Sequence, residues 1–301
     1  MQDEKTQAVR TMTDIVAKFT GYIGKRLPDD VMEKLGQLRA AETTPLAKVV
    51  YDSMFDNLAK ADELDRPCCQ DTGVIQYFVN AGADFPLLSD VRTILDEAVR
   101  QATREAPLRH NAVEVFVEKN TGDNTGDRIP WIDWEIIPND DSITIEVYMA
   151  GGGCSLPGQG RTLMPAAGYE GVTGFVFDVI SSYGVNACPP LLVGIGIGGS
   201  IDVAARLSKK ALFRPIGSRN PDPHGAQMEE LIEKGLNDLG IGPQGLSGQN
   251  SVMGVHIEKA ARHPSTISVA VNVGCWAHRR GTIRINSDLS YEILSHKEAS
   301  I

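Results

Sequence analysis

Three cysteines sit in company that suits chemistry. Cys69 opens Cys69-Gln70-Asp71-Thr72-Gly73, Cys188 lies in Asn186-Ala187-Cys188-Pro189-Pro190, and Cys275 lies in Gly274-Cys275-Trp276-Ala277-His278-Arg279-Arg280. Each has Gly or Pro within two residues, at a turn or strand end. Such places expose a thiolate and leave backbone N–H groups free to bond sulfur, which suits a cluster ligand. There is no Cys-x-x-Cys pair, so spacing leaves two readings open: a metal site, or free thiols packed in the core. Cys68 adjoins Cys69, but neighbouring side chains point apart. Cys154 follows Gly151-Gly152-Gly153 and is a candidate to line a pocket.

Other residues offer acid–base and anion-binding groups. Gln70 and Asp71 directly follow Cys69 and could face whatever it holds; the alternative is plain Asp-Thr-Gly turn chemistry. Arg109 in Pro107-Leu108-Arg109-His110 is the best carboxylate clamp in the chain, because a guanidinium forks around two oxygens. An isolated Arg is otherwise a solvated surface residue. Gly152 and Gly153 could bring backbone N–H groups close to an anion, or simply form a tight turn. His263 precedes Pro264 and is either an active-site group or a structural histidine. His278, Arg279 and Arg280 follow Cys275 closely. They could balance negative charge there or form a subunit contact, and both readings stand.

The elements that must position these groups follow from periodicity. Val16, Phe19, Ile23 and Leu27 recur at helical spacing, and a second apolar face runs through Val49, Val50, Met54, Phe55 and Leu58. A helical part therefore covers about residues 1–64. Residues 74–79 form a short apolar strand, and Ser89 caps a helix to about Glu105. Ile143, Ile145 and Val147 alternate with polar residues as a half-buried strand. Gly151–Cys154 opens a glycine-rich loop. Helices are expected at 169–183, 200–211 and 226–239, and strands at 191–197, 252–257, 267–273 and 282–285. The fold class is α+β: N-terminal helices, then a mixed, largely antiparallel sheet with packed helices around the site, in a single domain over 1–301.

At this point a resemblance becomes specific. It is carried by RPCCQDTG (66–73), APLRHNAVE (106–114), YMAGGGC (148–154), NACPP (186–190), LFRPIGSR (212–219), GIGPQGLSG (240–248), SVMGVHIE (251–258), ARHPSTI (261–267) and GCWAHRRG (274–281). In this order they resemble the class I fumarase family of iron–sulfur hydro-lyases. The resemblance implies a 4Fe-4S cluster on Cys69, Cys188 and Cys275, with one iron left open as a Lewis acid. It also implies Asp71 and His263 as catalytic residues, and Gln70, Arg109, Gly152 and Gly153 as substrate-binding residues. Typical fumarases of the class read Gly-Gly-Gly-Ser and Cys-Ser-Ala-Asp-Arg where this chain has Cys154 and Cys275-Trp276-Ala277-His278-Arg279. That difference leans toward dehydration of L(+)-tartrate to oxaloacetate, with fumarate and malate as the alternative substrates. The single-chain relatives carry a further C-terminal domain. The chain is therefore expected to be active only with a β subunit, as an α2β2 assembly whose partner supplies the proton-abstracting base.

Charge and composition narrow the rivals. The formal net charge is −10, which argues against a nucleic-acid surface. No apolar run is long enough to span a membrane. The cysteine count is odd and the first thirty residues lack a signal-peptide pattern, so a cytoplasmic, reducing compartment is expected. Gly194-Ile195-Gly196-Ile197-Gly198-Gly199 matches a dinucleotide fingerprint, but no second strand with a terminal acid follows; packing glycines are the preferred reading. A non-enzymatic alternative is a regulatory or structural subunit with a closed zinc site.

Overall fold

The computed structural model describes residues 2–299 and 301. In chain order its elements are α1 (Gln2–Lys25), α2 (Asp29–Ala41), α3 (Pro45–Glu63), β1 (Val74–Gly82), α4 (Val91–Glu105), β2 (Val113–Glu114), β3 (Lys119–Asn120), β4 (Trp131–Ile137), β5 (Ile143–Ala150), α5 (Gly152–Ser155), β6 (Gln159–Leu163), α6 (Gly168–Tyr183), β7 (Leu191–Ile197), α7 (Ile201–Ala211), α8 (Pro223–Asp238), β8 (Val252–Lys259), β9 (Ile267–Gly274), β10 (Arg280–Ile285) and β11 (Tyr291–Ile293). The fold is α+β, as expected. By contacts the chain forms two compact units, one of residues 1–29, 58–151 and 279–301, the other of 30–57 and 152–278.

The first unit is built on a sheet of order β11-β10-β5-β1-β4. Its pairs are antiparallel except β1 with β4. Ile75, Tyr77, Val79 and Ala81 alternate along β1, so one face of the strand is apolar. That face packs with Met12, Val16, Phe19 and Ile23 of α1 and Ile94, Leu95, Ala98 and Val99 of α4. The helical spacing of these side chains puts each set on a single stripe. Thr20 and Tyr77 share a buried hydroxyl–hydroxyl bond of 2.8 Å inside this layer. Helix α4 begins at Val91, and its N-cap position is Asp90, which makes no side-chain cap bond. Ser89 lies in a preceding 3-10 turn and donates to Asp90 instead of capping the helix.

The second unit holds a sheet of order β6-β9-β7-β8, with only β7 and β8 parallel. Leu191, Val193, Ile195 and Ile197 turn one face of β7 to Val172, Val176 and Ile180 of α6 and Ile232 and Leu236 of α8. The other face carries Gly194 and Gly196. There α7 comes so close that a Cβ on Gly196 would run into the Ala204 carbonyl, and one on Gly194 into the Ser208 carbonyl. These glycines of the dinucleotide-like motif are packing positions for a helix on a strand, as preferred above. Among the described residues, no helix is long and apolar enough to cross a membrane.

Candidate active site

The loop after α3 carries Cys68, Cys69, Gln70 and Asp71 into β1 within the first unit. Asp71 is anchored at one oxygen: Oδ1 accepts from the Gly73 N–H at 3.0 Å and from the Asn111 side chain at 3.0 Å. Asn111 Nδ2 also donates to the Gly73 carbonyl at 3.1 Å. The carbonyl of Asp71 accepts from Arg279 Nη2 at 2.6 Å. The carboxylate is thus held by two bonds at Oδ1, and the backbone of the same residue by a third. Cys69 is half-buried, and its thiol makes a long contact of 3.9 Å with Gln70 Oε1. Cys68 is buried. Burial pushes its thiol up, against the pull of the Arg279 cation, and a neutral thiol is a poor metal ligand.

Arg109 stands beside this loop in the same unit. Its N–H donates to Thr72 Oγ1 at 3.0 Å, and its carbonyl accepts from Asn124 Nδ2 at 3.0 Å. Both bonds hold the backbone alone. The side chain is exposed. A guanidinium held at its root and open at its tip is what clamping a carboxylate requires.

The second unit brings together the other two cysteine segments. The Trp276 N–H donates to the Cys188 carbonyl at 3.1 Å, so the residue after Cys275 is tied to Cys188 itself. Cys188 is exposed and Cys275 half-buried, whereas Cys154 is buried. Cys188 adopts φ 52° and ψ 74°, a left-handed conformation that ends a 3-10 turn. Gly152 and Gly153 do not form an open loop: they begin the single turn α5. A Cβ on Gly153 would come within 2.5 Å of the Asn186 carbonyl, so this glycine seats α5 against the Cys188 loop. His278 is 1% exposed, and its Nε2 lies 3.0 Å from the Leu212 carbonyl. The ring is a core group of this unit.

His263 lies in the exposed loop after β8. Its Nδ1 accepts from the Ser265 N–H at 3.1 Å, which leaves Nε2 to carry the proton of the neutral ring. Arg262 Nη1 donates to the carbonyls of His263, Pro264 and Thr266 at 3.1, 3.3 and 3.2 Å and holds the loop in shape.

Arg279 and Arg280 belong to the first unit and are 2% and 5% exposed. Neither presents its side chain as a surface for another subunit, so the contact reading of this basic pair falls away. Lys209 on α7 is a group that the sequence did not single out. Burial pushes its amine down to about 8, with the Cys154 thiol acting the other way. Asn111 and Asn124 were also missed, because nothing in the sequence marks an asparagine as the holder of a residue forty or fifteen positions away. Among the described residues, no group of three or more His, Cys, Asp or Glu side chains is placed to hold a metal ion, of either the cluster or the zinc kind.

The chain is similar along its length to known proteins. The family model described as fumarate hydratase (Fumerase) matches residues 13–284. The L(+)-tartrate dehydratase subunit alpha of Escherichia coli K12 is 59% identical over 300 residues, covering 100% of this chain and 99% of the relative. The protein of that name from Shigella sonnei is 59% identical over the same span. A protein of Methanocaldococcus jannaschii is 37% identical over 282 residues, 92% of this chain and 98% of its own length. With a family match over nearly the whole chain and relatives collinear from end to end, the protein belongs to the fumarate hydratase (Fumerase) family of hydro-lyases.

Proposed function

We propose that the chain is the α-type subunit of an L(+)-tartrate dehydratase, a single catalytic module over residues 1–301 that eliminates water to give oxaloacetate. The observation that carries this is the 59% identity over the full chain to subunits of that name. Their designation as subunit alpha supports a second, different polypeptide as partner, and the family resemblance supports an α2β2 assembly in the cytoplasm. A two-subunit fumarase acting on fumarate or malate is the second reading, favoured only by the family description.

The cofactor we propose is a 4Fe-4S cluster on Cys69, Cys188 and Cys275. The donors fit: these three cysteines are half-buried or exposed, whereas Cys68 and Cys154 are buried. When bound, such a cluster supplies a Lewis acid for the departing hydroxyl. Asp71, held by Asn111, Gly73 and Arg279, moves a proton at the departing oxygen. Gln70 and Arg109 hold substrate oxygens, the latter through a guanidinium that its backbone bonds leave free to turn. Gly152 and Gly153 offer backbone N–H groups, and His263 offers an Nε2 proton. The base that takes the carbon-bound proton is assigned to the β subunit, which would also exclude water.

The test is anaerobic co-expression with the β chain, followed by iron and sulfide analysis and assays on L-tartrate, D-tartrate, malate and fumarate. We expect L-tartrate to be turned over best. Cys69→Ser, Cys188→Ser and Cys275→Ser should each lose most of the iron, and Cys68→Ser should keep it. A complex that prefers malate or fumarate supports the second reading. Full iron in all three serine variants sinks the ligand assignment.

A further inference from the structure

The most unusual charge in the molecule is Arg279. It is 2% exposed, yet only one of its three nitrogens has a partner: Nη2 donates to the Asp71 carbonyl at 2.6 Å. Nε and Nη1 are shut off from solvent without a hydrogen bond. No ion pair reaches this guanidinium among the described residues. Arg214 provides the contrast: it too is largely buried, and it meets the fully buried carboxylate of Glu229 at 2.6 Å. A buried cation is ordinarily paired, because removing it from water without a counter-charge is costly. Two unmade donors on one buried guanidinium therefore imply an acceptor supplied from outside the polypeptide.

We propose that Arg279 is a positioning residue: it fixes Asp71 through that residue's carbonyl, and its remaining N–H groups meet an anionic, sulfur- or oxygen-rich centre held beside Cys69. The identity of the centre rests on the cluster reading above; the hold on Asp71 does not. The geometry supports both parts. Arg279 is fixed at both ends, since the Met149 N–H donates to its carbonyl at 3.1 Å while its side chain reaches Asp71. It thereby ties the root of β10 to the segment that carries Cys69 two residues before Asp71. A carbonyl held this way sets the peptide plane after Asp71, and the Asn111 bond then sets the carboxylate. The positive charge offsets the negative charge of three thiolates on a cluster, a task for which a guanidinium, never deprotonated, is suited. Outer groups of this kind orient ligands and tune a metal centre.

The experiment compares the anaerobic αβ complex of the wild type with Arg279→Gln and Arg279→Lys. It reads iron and sulfide content, the cluster midpoint potential, kcat and KM, and hydrogen exchange of the peptide covering residues 69–73. For R279Q we expect a midpoint shifted to more negative potential, because a positive charge is gone. We also expect kcat to fall by roughly 10–100-fold with a smaller change in KM, and faster exchange over 69–73. R279K keeps the charge, so its potential should stay near the wild-type value while 69–73 still exchanges faster. Wild-type potential, kcat and exchange in R279Q would overturn the proposal. If R279Q does not fold, R279K decides: unchanged exchange over 69–73 together with unchanged kcat overturns it. A wild-type complex without iron would instead defeat the cluster reading, and the exchange comparison, which needs no cluster, would still decide whether Arg279 holds Asp71.

Discussion

Asn111 and Asp71 are joined by a 3.0 Å bond from the amide nitrogen to Oδ1, and the same nitrogen reaches the Gly73 carbonyl at 3.1 Å. One side chain thus fixes both the carboxylate and the turn behind it. Asn111→Leu should lower kcat roughly 10–100-fold, the usual range for loss of an outer-shell bond, with iron content unchanged. Steady-state kinetics beside iron analysis checks this; a variant with full kcat would mean that Asp71 does not need the bond.

Arg109 makes its structural bonds through the backbone, to Thr72 and Asn124. Arg109→Ala should therefore fold normally and lose only its side-chain function. Removing a hydrogen bond to a charged group costs about 1.5–3 kcal/mol, so kcat/KM should fall by that amount on the best dicarboxylate. An unchanged kcat/KM would take Arg109 out of the substrate site.

Glu42 is 1% exposed. Burial pushes its carboxyl up, but the N–H groups of Thr44, Gln249 and Thr43 outweigh that and hold it below the ordinary glutamate range. The folded pKa lies below the unfolded one, so the stabilisation is complete above the unfolded value and is lost as pH falls through the folded value. Glu42→Gln should destabilise at pH 7 by about 1–3 kcal/mol. The gap between variant and wild type should close in acid. Urea titrations at several pH values measure it, and a gap independent of pH would contradict the assignment.

Gly196→Ala should destabilise strongly, by about 1–3 kcal/mol or more, because the new methyl meets the Ala204 backbone, which cannot move without shifting α7. Gly174→Ala on α6 is the matched control. Nothing lies within 4 Å of its Cβ position, and replacing a mid-helix glycine gains about 0.5–1 kcal/mol. Thermal melts should move in opposite directions, and two shifts of the same sign would refute the packing argument.

Lys209, with its amine lowered to about 8, should acylate well ahead of the surface lysines at pH 8. Competitive labelling read by mass spectrometry should give a midpoint near that value. Since the folded pKa lies below the unfolded one, the charged amine disfavours the fold, and Lys209→Met should stabilise the protein below pH 8. A labelling midpoint in the ordinary lysine range would rule out the burial effect.

Local pattern made much of this molecule legible. The alternation of Ile143, Ile145 and Val147 marks β5, and the helical spacing of Val16, Phe19 and Ile23 marks α1, because each pattern is the imprint of a single apolar face. Strand β6 escaped: Gln159–Leu163 is polar and largely exposed, and only its pairing with β9 makes it a strand. The helical turn at Gly152–Ser155 escaped for a related reason. Glycines signal a loop locally, and the seat against Asn186 that orders this turn is a long-range contact. At the site, the cysteines, Asp71 and Arg109 stood out by motif. Asn111, Lys209 and the isolation of Arg279 did not, because each depends on what lies nearby in space and not in sequence.

Cys188 is held at φ 52°, where a side chain sits about 1–2 kcal/mol less comfortably than in a right-handed turn. Glycine would relieve that strain without altering the path of the chain. Cys188→Gly should therefore give a more heat-resistant apoprotein than Cys188→Ser, although neither offers a thiol. At this position stability and chemistry select different residues. The tightest-folding version of the loop is one that has lost its sulfur, so a screen for thermostability alone would be drawn toward a protein without this thiol.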